Sequence, residues 1–417
     1  MTQSYQNGYV DINRIDLSSH DGKKVISLIA QVTAISIYED ILCPIIYAEL
    51  DIADSADLHS SFPLIGEEFI DLEFKTTGNT ETNKYRFSVV STNNVTTNNT
   101  GRIKTYKIRC ASEEILNNST LKLNQRMSGK SEDLIKKFLT DSNYLATKKN
   151  VNLETTKGPQ DLLITKLSPF QAVDLVRKRS VSPKYISSSY CFFENKRGFN
   201  FCTVEFLFDQ GKSNIKDKIF WYDSKPETDV RAVRFRNILG FRTVSGFDTA
   251  SKMSFGGLNN MVRKFDIFTG EMTEIKFNNA EKQDQFKFAS DNAVGLNSSY
   301  FENKYGLTSG YTMLVPHRGD LPDTFIPDTL GARQAFVQKL IQNIFQIHTY
   351  GDSEITAGDV ITIKVPQIKG TTDEPKENRL VSGNYLVSKL RHTIVLDKQR
   401  LYTNSMELIR GEYEEHI

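Results

Sequence analysis

The sequence is short of most of the features that would announce a chemistry. Its four cysteines (Cys43, Cys110, Cys191, Cys202) are too few to staple 417 residues, and none falls in CxxC spacing. A disulfide framework and a zinc ribbon are therefore excluded. Cys191 and Cys202 lie equidistant from Lys196-Arg197, which sets them face to face across a hairpin as buried apolar fillers. Charge of one sign is missing as well. Lys+Arg 52 against Asp+Glu 51 leaves a net charge of +1, whereas gripping nucleic acid or an anionic membrane needs a clustered cationic surplus. Mean hydropathy is -0.40, and no run approaches the ~20 apolar residues of a membrane span. The opening MTQSYQNGYVDINRIDL lacks the basic-then-apolar layout of a secretory signal. Without such a signal, triplets such as Asn94-Val95-Thr96 carry no glycosylation meaning.

Catalytic patterns are equally scarce. There is no GxGxxG and no GxSxG. Gly129-Lys130-Ser131 ends like a phosphate loop, but Asn124 stands where the first glycine is required. The six histidines (His20, His59, His317, His348, His392, His416) never fall at HxH or HxxxH spacing, which reads as surface or singly hydrogen-bonded imidazoles. Glu67 and Glu68 are adjacent, so on a strand they point to opposite sides and are expected to be solvated. Arg177-Lys178-Arg179 ends a helix, where cations complement the dipole. The only tryptophan, Trp221, offers little of a sugar platform. No catalytic, cofactor-binding or metal-binding residue is singled out, no cofactor is expected, and the chain is expected not to be an enzyme.

What is present is β pattern. Residues 1–116 read as one β module. Lys24–Tyr38 and Cys43–Ala53 are rich in strand formers, and in Phe69–Lys75 the residues Ile70, Leu72 and Phe74 share one face. Tyr85–Val90 and Arg102–Cys110 pair as a hairpin around the polar tip STNNVTTNNT. Residues 117–225 read as a small α+β domain. Ser131 is expected to cap a helix bearing Leu134, Ile135, Phe138 and Leu139, and Ser168-Pro169 with Gln171 writes a capping box for a second. A hairpin Tyr190–Phe193 and Phe199–Phe208 follows, then a linker at 222–231. Residues 226–417 read as a second β module with a long loop insertion at 279–330. Its expected elements are strands Val230–Arg242 and Met261–Phe277, a helix Ala332–Phe345, and strands Val360–Val365, Tyr385–Ile394 and Leu401–Ile409.

The two ends of the chain echo each other. Ile65-Gly66-Glu67-Glu68-Phe69-Ile70-Asp71-Leu72-Glu73-Phe74 resembles Ala357-Gly358-Asp359-Val360-Ile361-Thr362-Ile363-Lys364-Val365. Each run leads into a hairpin that starts with Tyr (Tyr85, Tyr385) and resumes at Arg (Arg102, Arg400). A duplicated β module would let a three-fold oligomer present six near-equivalent surfaces. The fold class expected is mainly β with an α+β insertion: two related antiparallel β-barrel modules plus a smaller α+β domain.

The segment SPFQAVDLVRKRSVS, followed by YCFFENKRGFNFCTVEFLF, resembles the middle domain of central baseplate hub proteins of contractile-tailed, T-even-like bacteriophages. The likeness rests on a Pro-initiated helix (Ser168-Pro169-Phe170), then Phe192-Phe193-Glu194, Gly198-Phe199-Asn200-Phe201 and Leu207-Phe208, with Thr203 where a serine is expected. It implies a homotrimeric structural virion protein whose two tail-tube-like modules mimic six-fold symmetry. Such a ring joins the hexameric tail tube protein to the trimeric spike protein among the baseplate wedge proteins. DNA passes through its channel without specific binding, and there is no membrane insertion. The implied place is the virion tail baseplate, assembled in the host cytoplasm. Two other readings stay open: a spike component of a related contractile injection system, and a receptor-binding or carbohydrate-cleaving tail protein.

Overall fold

The computed structural model describes residues 8–58, 62, 64–76, 81–98, 101–212, 218–222, 236–246, 248–279, 281–282, 293–294, 312–317, 325–367, 377–378, 381–396, 400–410 and 413–414. The first stretch supplies β1 (Val10–Ser18), β2 (Val25–Ser27), β3 (Val32–Asp40), β4 (Tyr47–Asp54), β5 (Phe69–Thr76), β6 (Asn83–Thr97) and β7 (Lys104–Ser112). The middle contributes α1 (Glu114–Thr120), β8 (Leu123–Lys130), α2 (Ser131–Thr140), β9 (Val151–Leu153), β10 (Pro159–Leu167), α3 (Pro169–Lys178), β11 (Tyr190–Asn195), β12 (Gly198–Thr203) and α4 (Val204–Lys212). Next come β13 (Ile219–Trp221), β14 (Ile238–Ser245), α5 (Thr249–Ser254), β15 (Asn259–Asp266), β16 (Met272–Asn278), β17 (Ala293–Val294) and β18 (Thr312–His317). The chain ends with α6 (Ile326–Leu340), β19 (Ile344–Tyr350), β20 (Val360–Lys364), β21 (Gly383–Val395), β22 (Leu401–Ile409) and β23 (Tyr413–Glu414).

The fold is mainly antiparallel β, and neither module closes into a barrel among the described residues. Both instead feed one 13-stranded sheet, ordered β14-β19-β22-β21-β3-β4-β7-β6-β5-β1-β2, with β20 and then β13 attached beside β21. Within it the order β3-β4-β7-β6-β5 is repeated as β14-β19-β22-β21-β20, all pairs antiparallel and in the same chain sequence.

The repeat extends to two of the irregularities, which are harder to arrive at by chance than strand order; the further bulges at Val244 and at Asn94–Val95 have no counterpart in the other module among the described residues. Thr33 is the extra residue where β3 faces β4, and Leu239 is the extra residue where β14 faces β19. Val90 bulges from β6 against β7, and Ser388 bulges from β21 against β22. Beside these second bulges, Val89 N–H donates to the Glu68 carbonyl at 2.9 Å and Val387 N–H to the Asp359 carbonyl at 2.8 Å. A bulge re-aims the strand that carries it, so conserving its position in both copies conserves the curvature of the sheet. Matched this way, Arg102 corresponds to Arg400, but Tyr385 corresponds to Phe87 rather than to Tyr85.

Alternation explains the first core. Ile70, Leu72 and Phe74 have no solvent exposure and join Ile35, Leu50, Phe87 and Ile108 on the inner face. A second core gathers Leu134, Ile135, Phe138 and Leu139 of α2 with Val173, Val176, Phe192 and Phe199. The strand pairs of the second module bury Phe345, Ile347, Ile361, Ile363, Tyr385 and Leu408.

Several expectations are corrected. β1 carries no clean alternation, so the sequence does not mark it as a strand. The tip expected at STNNVTTNNT is largely strand, because β6 runs on to Thr97. Ser131 opens α2 from inside: the N-cap is Lys130, and the Ser131 hydroxyl accepts from Gln160 Nε2. Val204–Phe208 is helix, not strand; Thr203 Oγ1 accepts Phe206 N–H and so turns the chain out of the sheet. Met261–Phe277 is a hairpin, β15 against β16, turning at Ile267–Gly270. Part of the loop expected at 279–330 is ordered as β18, which pairs parallel with β15. The helix expected at Ala332–Phe345 runs over Ile326–Leu340 instead and buries Ala332, Ala335, Phe336 and Leu340; Ile344 already belongs to β19. Most of the linker expected at 222–231 lies outside the described residues.

Candidate functional site: the junction between the modules

The segment that carried the resemblance lies where three parts of the chain meet. Every residue of β11 and β12 is buried, so the hairpin is a core element and not a surface flap. Its register sets Cys191 opposite Cys202, both as free thiols. Burial pushes the Cys191 thiol up to about 12 and Cys202 also well above its ordinary value, so both are apolar fillers, as expected. Phe192 stacks on Phe199 at 5.8 Å, and Phe170 of α3 tilts against both. The capping box holds Phe170 in place: Ser168 Oγ accepts from Gln171 N–H while Gln171 Oε1 accepts from Ser168 N–H. Thr203 supplies the expected hydroxyl; its Oγ1 donates to Glu154 at 2.8 Å and caps α4.

The hairpin turn reaches both modules. Glu194, 3% exposed, accepts Ile46 N–H at 3.1 Å and Ser112 Oγ at 2.5 Å from the first module. Lys149 Nζ bridges Glu194 and Glu114, 2.7 Å from each. Burial raises the Glu194 carboxyl above the usual range, opposed by the Lys149 charge. Burial also works against the Lys149 ammonium, but Glu194 and Glu114 outweigh it and raise its pKa. Toward the second module, Asn195 Nδ2 donates to the Ala357 carbonyl at 2.9 Å, Lys196 Nζ to the Ser353 carbonyl at 2.5 Å, and Arg197 pairs with Asp359 at 2.8 Å. The adjoining cavity of about 400 Å³ is lined in part by Arg197, Lys218 and Asp359, which already pair with one another.

A second acid ties the modules directly. Glu39, 1% exposed at the end of β3, accepts Ala357 N–H at 2.8 Å, the Thr356 hydroxyl, and Tyr85 Oη at 3.4 Å. It stands beside the seam where β3 pairs with β21, from Asp40 opposite Lys389 to Ala34 opposite Val395. His392 is buried in this seam, against the expectation of a surface or singly bonded imidazole. Its Nδ1 lies 2.7 Å from Tyr402 Oη and 3.2 Å from Asn404 Oδ1, and its Nε2 is 3.9 Å from Glu39.

Other residues weighed in the sequence have structural employment. Glu67 is exposed as expected, but Glu68 is buried and accepts Ile65 and Gly66 N–H, closing the turn before β5. Arg177 and Lys178 pair with Asp174 in the last turn of α3. Lys364 sits over the Trp221 ring. Among the described residues no three His, Cys, Asp or Glu side chains gather to hold a metal ion, and no helix is long and apolar enough to cross a membrane. Glu39, Glu194 and Arg197 are each held by partners from another part of the chain, while the buried His392 Nε2 has no hydrogen-bond partner; together these contacts tie the two halves of the sheet to each other. Glu39 gave no sequence signal, since a lone acid ending a strand reads as exposed. Glu194 did give one, being an acid inside an otherwise aromatic strand.

No protein-family model and no curated protein matches the sequence. Solved structures do match the fold. A tail protein from Neisseria meningitidis MC58 aligns over 95% of this chain and 96% of its own, at 10% identity and a TM-score of 0.58. The 43 kDa tail protein of prophage MuSo2 from Shewanella oneidensis aligns over 95% and 98%, at 9% identity and 0.58. A Francisella PdpA–VgrG complex aligns over all of this chain but 61% of that one, at 11% identity and 0.51. This chain therefore has the fold of phage tail proteins.

Proposed function

We propose that the chain is the structural hub of a contractile tail: a homotrimer whose six modules form a pseudo-six-fold ring around a channel for DNA. One side of the ring meets the hexameric tail tube, the other the trimeric spike, and wedge proteins surround it. The observation that carries this reading is the repeat of strand order and bulges within a single continuous sheet. One chain then offers two near-equivalent curved β surfaces, and three-fold symmetry suffices to meet a six-fold partner. The likeness of fold to phage tail proteins supports it. The division into 1–116, 117–225 and 226–417, the absence of enzymatic activity and the place in the virion baseplate belong to the same proposal.

Light scattering of the purified chain, alone and with its spike, tests it. A mass near three times 47.4 kDa, or trimerisation on adding the spike, is the expected result. A monomer under both conditions would overturn the proposal. The spike reading is favoured by one observation, the alignment with 61% of a VgrG-complex chain. Under that reading the chain itself would puncture, and no separate spike would add to the trimer's mass.

A further inference from the structure

A cavity of about 430 Å³ opens between the turn that follows β3, the hairpin β11–β12 and α6. The buried part of its wall is apolar: Tyr190, Cys191 and Val204 from the hairpin and the start of α4, Leu340 from the end of α6, and Ile409 from β22. Its mouth is apolar too, with Leu42 73%, Ile341 45% and Val337 40% exposed.

Charge along the wall is unbalanced. Lys389 pairs with Glu407, and Arg177 and Lys178 share Asp174. Arg333 has no acid of its own. Its guanidinium donates to the carbonyls of Ser187, Lys178 and Ser180, and among the described residues no carboxylate pairs with it. Arginine carries five N–H groups, so two donors remain. The acid whose charge bears on Arg333, Glu205, is buried with neither oxygen hydrogen-bonded. Burial pushes that carboxyl up to about 8, which leaves it mostly protonated at pH 7. Asp40, the other acid at the wall, accepts Leu42 N–H, and burial raises its carboxyl as well. Arg333 is itself pressed down to about 10 by burial, as befits a cation withdrawn from water without a counter-charge.

Size narrows the choice of occupant. One turn of α-helix, about 10 Å across and ~5.4 Å high, would take up the whole volume, so a docking helix needs more room than this. Small molecules sit in cavities of about 300–1,000 Å³ with apolar walls and a few polar groups that fix their orientation.

We infer that this cavity binds a single-chain amphiphile with one negative head, of the class of medium-chain carboxylates, its chain against Val204, Leu340 and Ile409 and its head on Arg333. The inference stands apart from the ring reading above. Its consequence is mechanical: the wall joins segments as distant in sequence as Leu42, Tyr190, Val337 and Ile409, so an occupied cavity braces the meeting of the modules and stabilises the folded chain.

The test titrates the full chain with sodium decanoate at pH 7, by calorimetry and by thermal unfolding. One site per chain is expected, with a rise of about 3 °C in melting temperature at a hundredfold excess over Kd. Binding should tighten about fourfold per added methylene from hexanoate to decanoate. Decyltrimethylammonium, with the same chain and the opposite charge, should bind at least about tenfold more weakly. Val337→Trp fills the mouth from an exposed position; it should keep the circular dichroism and melting temperature of the free protein and lose the response to decanoate. Ile341→Trp does the same from the next turn and serves if the first variant does not fold. Absence of heat and of a melting shift with decanoate would overturn the inference, as would affinity independent of chain length or equal affinity for the cationic probe. Decanoate binding undiminished in the tryptophan variants would place the ligand elsewhere and refute the site. Capture by phosphatidylglycerol vesicles without a response to free decanoate would assign the patch to a bilayer surface, and would equally refute it.

Discussion

Replacing Glu39 by alanine should unlock the two halves of the sheet. The carboxylate is buried and accepts Ala357 N–H at 2.8 Å, the Thr356 hydroxyl and, more weakly, Tyr85 Oη at 3.4 Å. Alanine leaves two well-made donors and one marginal one without a partner or access to water. At about 1–3 kcal/mol per orphaned buried group, with the tyrosine counted low, the loss is about 3–5 kcal/mol. Unfolding entropy of about 2.1 cal/mol/K per residue makes that a fall of roughly 3–6 °C in melting temperature for a chain of this length. The assay is urea and thermal unfolding followed by circular dichroism. Glu39→Gln keeps one acceptor oxygen and should lose about half as much. Thr356→Ala should cost much less in the Glu39→Ala background than alone, since the two share a bond. A Glu39→Ala protein within about 0.5 kcal/mol of the parent, the range of an ordinary surface substitution, would refute the idea that this acid holds the junction.

Three further outcomes follow from single sites. Glu205 is fully buried with neither oxygen in a well-formed hydrogen bond, and burial pushes its carboxyl up to about 8. Because the folded value is raised, its unfolded counterpart ionises first, so stability falls as pH rises from about 4.5 towards 8. Glu205→Gln should match the parent near pH 4 and exceed it by a few kcal/mol at pH 8, read from urea midpoints; equal pH profiles would refute this. Gly198→Ala should cost at least about 3 kcal/mol and lower soluble yield, since φ is 120° and an added Cβ would lie 2.2 Å from the Asn150 carbonyl oxygen. Ser168→Ala should cost about 1 kcal/mol through loss of the capping box, whereas Ser168→Asp should be nearly neutral.

Legibility followed the range of the interaction. Phe69–Lys75 was readable because alternation is written in consecutive residues and the buried face is the apolar one. The capping box at Ser168 and Gln171 was readable because both partners lie within four residues. The run 204–208 is ambiguous in the sequence because Val-Glu-Phe-Leu-Phe suits either state by composition. The decision belongs to Thr203, whose hydroxyl caps the helix, and Glu154, which holds that hydroxyl from 49 residues away. Val90 and Ser388 illustrate the same limit for the repeat. The two bulges share a place in the sheet but no residue type, so the sequence hinted at a duplication and could not align it.

By itself, then, the sequence determined the local grammar: which runs alternate, where a helix is capped, that charge is balanced, and that no metal or nucleophile motif is spelled out. Only the tertiary structure decided that the two modules form one sheet and that Glu39, Glu194 and His392 are buried at their junction. The physical reason is separation. Periodicity and caps act over one to four residues and leave their mark in order. A seam between residues 34–40 and 389–395 is set by the closure of the whole chain, and nothing in either segment records the other.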